Sequence, residues 1–447
     1  MKSFSVTLLL SGLLVAGCTV PPSSAEKQAQ RESTRLGQVL LSAVQPPPAP
    51  DAPLADYLRY AVLRHPQVLA AYSDWRATVL AIAPTRALPD PQLTFEADVT
   101  DTLMTFMPGL MFDFMTPGKR RAMADEMTAA SQIAYRTYVS AVLEVATRVR
   151  KAWLELAYVD EALRLRDNAL GALDQATAMA GADYVTGRGM GTLEVQFRLQ
   201  NEAAKVRAEL AALGDRRIAV HIRFKSALGL TTSDADPTWP QATLAPSVLP
   251  STDELWRRTL AANPELGRMR AMVEMAIASV EVARKAGTPD FTLGAMADFK
   301  ADPLMFRPTA TVTLPIWREK IRSNIAAAEA RRDAAVARVS AEQLNMAATL
   351  AQMHYMVRES DRMIEYIDTT ALPNYERLIS SIEAGYQAGM TGPGMIPETR
   401  IMALAMRLER AAALRDRENA VTDLLLMTAD IAPAGAPLLA ESPAASH

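Results

Sequence analysis

Methionine is the side chain with the most chemical promise in this 447-residue chain, which holds 23 of them. Met104, Met107, Met111 and Met115 recur at steps of three and four. Thioethers are soft, neutral donors that suit Cu(I), so the run is a candidate metal site. The same residues serve equally as flexible apolar filler in place of leucine. No Cys or His stands beside them, and the four histidines (His65, His221, His354, His447) are scattered. No cofactor is expected. The chain has no Gly-rich phosphate loop, His-x-x-x-His pair or Gly-x-Ser-x-Gly elbow, which argues against an enzyme. Carboxylate pairs such as Asp125-Glu126 fall within helical charge patterns and read as solvated faces.

The only cysteine, Cys18, follows an apolar run from Phe4 to Ala16 and closes the segment Leu14-Val15-Ala16-Gly17-Cys18. That run has the length of a signal-peptide core and is too short to span a bilayer. Leu-x-Ala-Gly-Cys resembles the lipobox of bacterial lipoproteins, in which the thiol is lipidated. The alternative is an ordinary secretory signal with a chance cysteine. Thr19 in place of an aspartate favours the outer membrane over the inner. Acyl chains at Cys18 would anchor the protein without inserting it.

The elements that must position these residues are written twice. Pro91-Gln92-Leu93-Thr94-Phe95 returns as Pro289-Asp290-Phe291-Thr292-Leu293, and His65-Pro66 as Asn263-Pro264, at the same offset of 198 residues. Tyr184-Val185-Thr186-Gly187 has its counterpart in Tyr386-Gln387-Ala388-Gly389. A period this long marks a duplicated architectural unit rather than a solenoid. The expected organisation is a signal peptide over 1–17, a lipidated tether over 18–53 and a first repeat over 54–229. A linker over 230–252, a second repeat over 253–430 and a disordered tail over 431–447 complete it. Helix is expected from Leu54 to about Leu88, and one unbroken helix, about 90 Å long at 1.5 Å per residue, from Gly118 to about Ala182.

Hydrophobic residues make up 49 % of the chain but aromatics only 6 %, a mixture suited to long helices packed through small residues. The helices carry a coiled-coil period. Leu199, Ala203, Val206, Leu210, Leu213, Arg217, Val220, Phe224 and Ala227 step 4,3,4,3. So do Val142, Ala146, Val149, Trp153 and Leu156, and again Met346, Leu350, Met353, Val357, Ser360, Ile364 and Ile367. Spacing of 3.5 lets one helix meet another along its length; a globular bundle would not need helices so long. The net charge of −3 offers no basic footprint for nucleic acid.

Strands are expected at about 91–99, 110–116, 290–299 and 306–314. Leu93, Phe95, Ala97 and Val99 alternate with Gln92, Thr94, Glu96 and Asp98; Phe306, Pro308, Ala310, Val312 and Leu314 alternate with Arg307, Thr309, Thr311 and Thr313. The lengths match tilted membrane strands, apolar side to lipid and polar side to a lumen. A half-buried soluble sheet would alternate in the same way. Four strands cannot close a barrel without leaving edges unpaired in hydrocarbon, so membrane strands demand several copies of the chain.

The lipobox, the two repeats, the strand pairs, the Phe114-x-x-Pro117-Gly118-Lys119-Arg120 exit into a long helix and the two Tyr-x-x-Gly breaks together resemble the TolC-like outer-membrane efflux family, over about residues 54–430. The resemblance implies a mainly α protein with membrane β: a homotrimer sharing a twelve-stranded outer-membrane β-barrel, continued through the periplasm by an α-helical coiled-coil barrel. It implies a passive exit duct for metal or drug efflux, anchored in outer-membrane lipid. Its partners would be a periplasmic adaptor protein and an inner-membrane pump of the RND type. Tyr184, Gly187, Arg188, Tyr386 and Gly389 would form the periplasmic tip and gate, with Thr94, Glu96, Asp98, Thr309, Thr311 and Thr313 lining the barrel. Met390 and Thr391 stand where the second half would need an Arg188 equivalent, so a symmetric Tyr–Arg latch is not expected. The alternative function is a periplasmic coiled-coil lipoprotein, a scaffold or adaptor that does not span the membrane.

Overall fold

The computed structural model describes residues 20–42, 46–100, 103–186, 193–237, 239–299, 305–388, 390–391 and 395–439. Four helices come first: α1 (Ser24–Ser42), α2 (Leu54–Arg64), α3 (Pro66–Leu80) and α4 (Ile82–Arg86). Strands β1 (Gln92–Thr100) and β2 (Leu103–Phe114) lead into α5 (Pro117–Thr186) and α6 (Leu193–Ala227). The second half follows as α7 (Thr252–Ala262), α8 (Pro264–Lys285), β3 (Asp290–Asp298), β4 (Met305–Thr313) and α9 (Arg318–Tyr366). A π-helical turn (Ile367–Ala371), α10 (Leu372–Gln387) and α11 (Met395–Met427) complete it. No described helix is long and apolar enough to cross a membrane.

The repeated dipeptides explain themselves as helix starts. His65 Nδ1 accepts from the Gln67 amide, and Asn263 Oδ1 accepts from the amides of Glu265 and Leu266. Each cap is followed by proline at the first helical position, where no amide hydrogen is needed. The run expected as one helix over 54–88 is therefore three, broken at His65 and Ala81.

Helix α5 is continuous for 70 residues, about 105 Å at 1.5 Å per residue. Its stripe Val142, Ala146, Val149, Trp153 and Leu156 is buried throughout. On α6 the stripe is buried at both ends, at Leu199, Ala203 and Val206 and at Val220, Phe224 and Ala227, while Arg217 in the middle is exposed and pairs with Asp160. The core concentrates where α2, α3, α5 and α6 meet: Tyr57, Tyr72, Trp75, Tyr135, Tyr138, Trp153 and Phe224 pack there, with the Trp75 and Tyr135 rings 5.0 Å apart.

Three expectations change. The tether over 18–53 contains α1, whose Ala29, Ser33, Leu36 and Leu40 are buried. It is held by Tyr72 Oη donating to the Ser33 carbonyl at 2.9 Å and by the buried Glu26 carboxylate on Arg86 at 3.2 Å. A 4,3,4 stripe outweighs its polar composition. The tail over 431–447 packs as far as it is described: Ile431 is buried, Tyr138 Oη donates to the Pro437 carbonyl and the Leu439 amide donates to Tyr135 Oη. Finally, β2 begins at Leu103 rather than about residue 110, because strand pairing with β1 tolerates the Pro108-Gly109 step that reads as a turn.

The linker over 230–252 is clamped. Glu418 on α11 is 1 % exposed and accepts from the amide and hydroxyl of Ser247. Arg150 on α5 and Arg417 on α11 close the ring around that carboxylate.

Candidate functional site

The four strands form one antiparallel sheet in the order β1-β2-β3-β4. Directly opposed residues share a face, so the register sorts the side chains. One face carries Leu93 opposite Leu110, Phe95 opposite Pro108, Phe112 opposite Leu293 and Phe291 opposite both Phe114 and Val312. The other carries Thr94 opposite Gly109, Glu96 opposite Met107, Asp98 opposite Thr105, Gly294 opposite Thr309, Thr292 opposite Thr311 and Asp290 opposite Thr313. All six residues expected on the polar side, Thr94, Glu96, Asp98, Thr309, Thr311 and Thr313, therefore share one face.

Exposure inverts the pattern of a soluble sheet. Leu93, Phe95, Leu293 and Phe306 are 64, 56, 50 and 68 % exposed. Thr94, Thr292, Gly294, Met296 and Thr309 on the polar face are half-buried, while Glu96, Thr311 and Thr313 are open. The polar face is cross-braced: Gln92 and Thr292 both donate to the Asp113 carboxylate, and Arg307 pairs with Asp298 at 3.1 Å. Where the sheet meets α5, Lys119 pairs with Asp290 at 2.7 Å, tying the two strand pairs together.

The methionines divide by face. Met107 and Met111 lie on the polar face and are joined there by Met296, opposite Gly109. Met104, opposite Val99, takes the apolar register, and Met115 lies beyond the end of β2. Met296 was missed because its group is assembled across strands far apart in sequence.

At the far ends of the long helices, Tyr184 and Tyr386 occupy the last turns of α5 and α10, 49 and 39 % exposed. Gly187, Arg188 and Gly389 lie outside the described residues, as does Cys18. The second turn is closed by the Met390 amide on the Gly385 carbonyl at 2.8 Å and by Thr391 Oγ1 on the Ile382 carbonyl at 3.1 Å. The hairpins are joined by Arg198 of α6 and Glu398 of α11, a pair not singled out from the sequence although its separation of 200 residues nearly equals the repeat. Arg400 pairs with Glu383 at 2.9 Å within the second hairpin.

Residues 255–429, from the start of α7 through the end of α11, match the family model for outer membrane efflux proteins. This segment of the chain is thus similar to outer membrane efflux proteins. The match agrees with the TolC-like resemblance read from the sequence, and the matched segment contains β3, β4 and the second hairpin. Among solved structures the fold is similar to that of CusC, at 15 % identity over 86 % of this chain and 95 % of that one, TM-score 0.71. It is also similar to the Campylobacter jejuni CmeC outer membrane channel (13 %, 86 % and 86 %, 0.68). The open-state Neisseria gonorrhoeae MtrE outer membrane channel gives 15 %, 84 %, 88 % and 0.69. At such identities the likeness is one of fold, and it spans both halves of the chain. No curated protein matches in sequence.

Proposed function

We propose that this chain is the outer-membrane channel subunit of a tripartite efflux system, a passive exit duct. The observation that carries the reading is the inverted sheet: the apolar face is the exposed one, as lipid contact requires. Strands β1 and β4 are edges, and an open edge in hydrocarbon leaves backbone groups unpaired at several kcal/mol each. Joining β1 of one copy to β4 of the next removes both. Three copies, the number the family resemblance implies, give twelve strands. The long helices then continue the barrel through the periplasm to tips bearing Tyr184, Gly187, Arg188, Tyr386 and Gly389, where a periplasmic adaptor and an inner-membrane RND pump would join.

Surface area supports assembly. The chain exposes 26,004 Å², whereas a compact monomer of 48.5 kDa exposes roughly 17,000 Å². Thr94, Glu96, Asp98, Thr309, Thr311 and Thr313 line the lumen in this reading, and Cys18 carries the lipid anchor. Cargo passes by passive conduction, whether metal or drug.

The test is purification from membranes followed by sizing and planar-bilayer recording. A detergent-requiring trimer that conducts supports the duct. A monomer soluble without detergent sinks it and returns the chain to the scaffold reading.

A further inference from the structure

Two notches on the polar face of the sheet are built alike. Gly109 is flanked along β2 by Met107 and Met111 and faces Met296 across the ladder. A Cβ on Gly109 would lie 2.6 Å from Met296 Cγ and 2.8 Å from Thr94 Oγ1. A Cβ on Gly294 would lie 2.8 Å from Met111 Cγ and 2.9 Å from Thr309 Oγ1. Met296 therefore leans onto β2 and Met111 onto β3, so their side chains cross the same pair of strands in opposite directions. Met107, two residues before Gly109, is 3 % exposed. Met107, Met111 and Met296 thus border Gly109, two along β2 and one across the ladder.

Two further observations separate this cluster from plain packing. The hydroxyls of Thr94 and Thr309, one beside each crossing methionine, are buried and make no hydrogen bond among the described residues. A wall packed only for volume would not leave both orphaned, since each costs about 1–3 kcal/mol. The surroundings are also acidic. Glu96 stands opposite Met107, Asp113 lies two residues beyond Met111, and Asp298 two beyond Met296. Arg307, the one cation among the described residues of the strands, lies opposite Met296 and is paired with Asp298 at 3.1 Å.

Neutral thioethers discriminate by softness. They offer little to Na⁺, Mg²⁺ or Ca²⁺, which seek several hard oxygens, and much to a d¹⁰ monovalent ion. Carboxylates nearby draw cations toward the wall without supplying a competing ligand set. We propose that Met107, Met111 and Met296 form a binding site for a soft monovalent cation of the Cu(I) and Ag(I) class, with the Thr94 and Thr309 hydroxyls as flanking oxygen donors. That the ion is in transit rests on the channel reading; that it binds does not.

The probe is Ag⁺, added as nitrate in chloride-free buffer to the full-length protein in detergent, read by equilibrium dialysis and by X-ray absorption at the silver edge. Wild type is expected to bind with sulfur in the first shell. Met111→Leu with Met296→Leu should weaken binding at least tenfold. Met104→Leu and Met115→Leu, whose positions lie off the cluster, should leave it unchanged. Cys18 is common to every variant, so any silver held at its sulfur cancels from the comparison. Absence of Ag–S scattering in wild type overturns the proposal, as does equal affinity in the double variant. Should the double variant misfold, Met107→Leu alone decides by the same comparison. A water-soluble monomer that still binds Ag⁺ through these methionines would sink the duct and leave the site standing.

Discussion

Arg198 and Glu398 join the two helical hairpins through an ion pair near their tips, from positions 200 residues apart in sequence. Both side chains are substantially solvated, so the pair is worth only about 0–1 kcal/mol to folding. Its effect should appear in how firmly the tips stay together. Arg198→Glu is expected to raise resting conductance in planar bilayers with no change in melting temperature. Restoring the pair in reverse, as Arg198→Glu with Glu398→Arg, should bring conductance back down; a double variant that conducts like the single would exclude a latch here.

The clamp on the linker makes the opposite prediction. Glu418→Ala removes the carboxylate from between Arg150, Arg417 and Ser247, leaving guanidinium charge in a largely buried place, at a cost of about 3–5 kcal/mol. Thermal unfolding should fall accordingly, and limited proteolysis should cut first near Ser247. Glu418→Gln, which keeps the shape, should lose less.

The two faces of the sheet should respond differently to charge. Leu293→Arg on the apolar face is expected to cost about 2–4 kcal/mol if the position lies near the bilayer centre, abolishing the detergent-resistant oligomer in membrane extracts. Thr311→Arg on the polar face should leave that oligomer intact. Equal loss from both substitutions would contradict the lipid-facing assignment.

Much of this was legible beforehand, and the reasons are local. The 198-residue offset marked His65-Pro66 and Asn263-Pro264 as equivalent positions, but helix was expected to run straight through His65, and the capped starts emerged only with the structure. The alternation of Phe306 to Leu314 placed a whole strand face. What escaped was long-range. The 4,3,4 stripe of Ala29, Ser33, Leu36 and Leu40 was masked by polar neighbours and the prolines after it. Met296 joins Met107 and Met111 only through the β2–β3 register. Arg198 lies in the helix beyond the break, where nothing local distinguishes it from other solvated arginines.

Stability should also depend on pH through two histidines. Burial and the nearby Arg148 hold His65 below its usual pKa, partly countered by a backbone hydrogen bond at Ser226. Burial and Arg217 do the same to His221, which stacks on Trp239 with centroids 3.9 Å apart. The unfolded chain then binds protons more readily than the folded one, so stability rises with pH in this window. The contribution is complete above about pH 6.5, the ordinary histidine value, and is lost as pH falls toward the folded-state values. Melting temperatures measured between pH 7.5 and 5.5 should decline, and His65→Asn, which copies the Asn263 cap, should flatten part of that slope. An unchanged slope would mean His65 does not titrate with folding.

The sheet of each chain is continuous from β1 to β4 through local and cross-repeat ladders, so every subunit of the proposed trimer brings a prefabricated panel of wall. Only the joints between panels remain to be made after folding, and all of them are the same joint. A copy whose folding is sound but whose outer strand cannot mate would therefore be incorporated and then spoil its companions. Expressed alongside the normal protein, such a copy should act dominantly, silencing most mixed rings rather than merely diluting them.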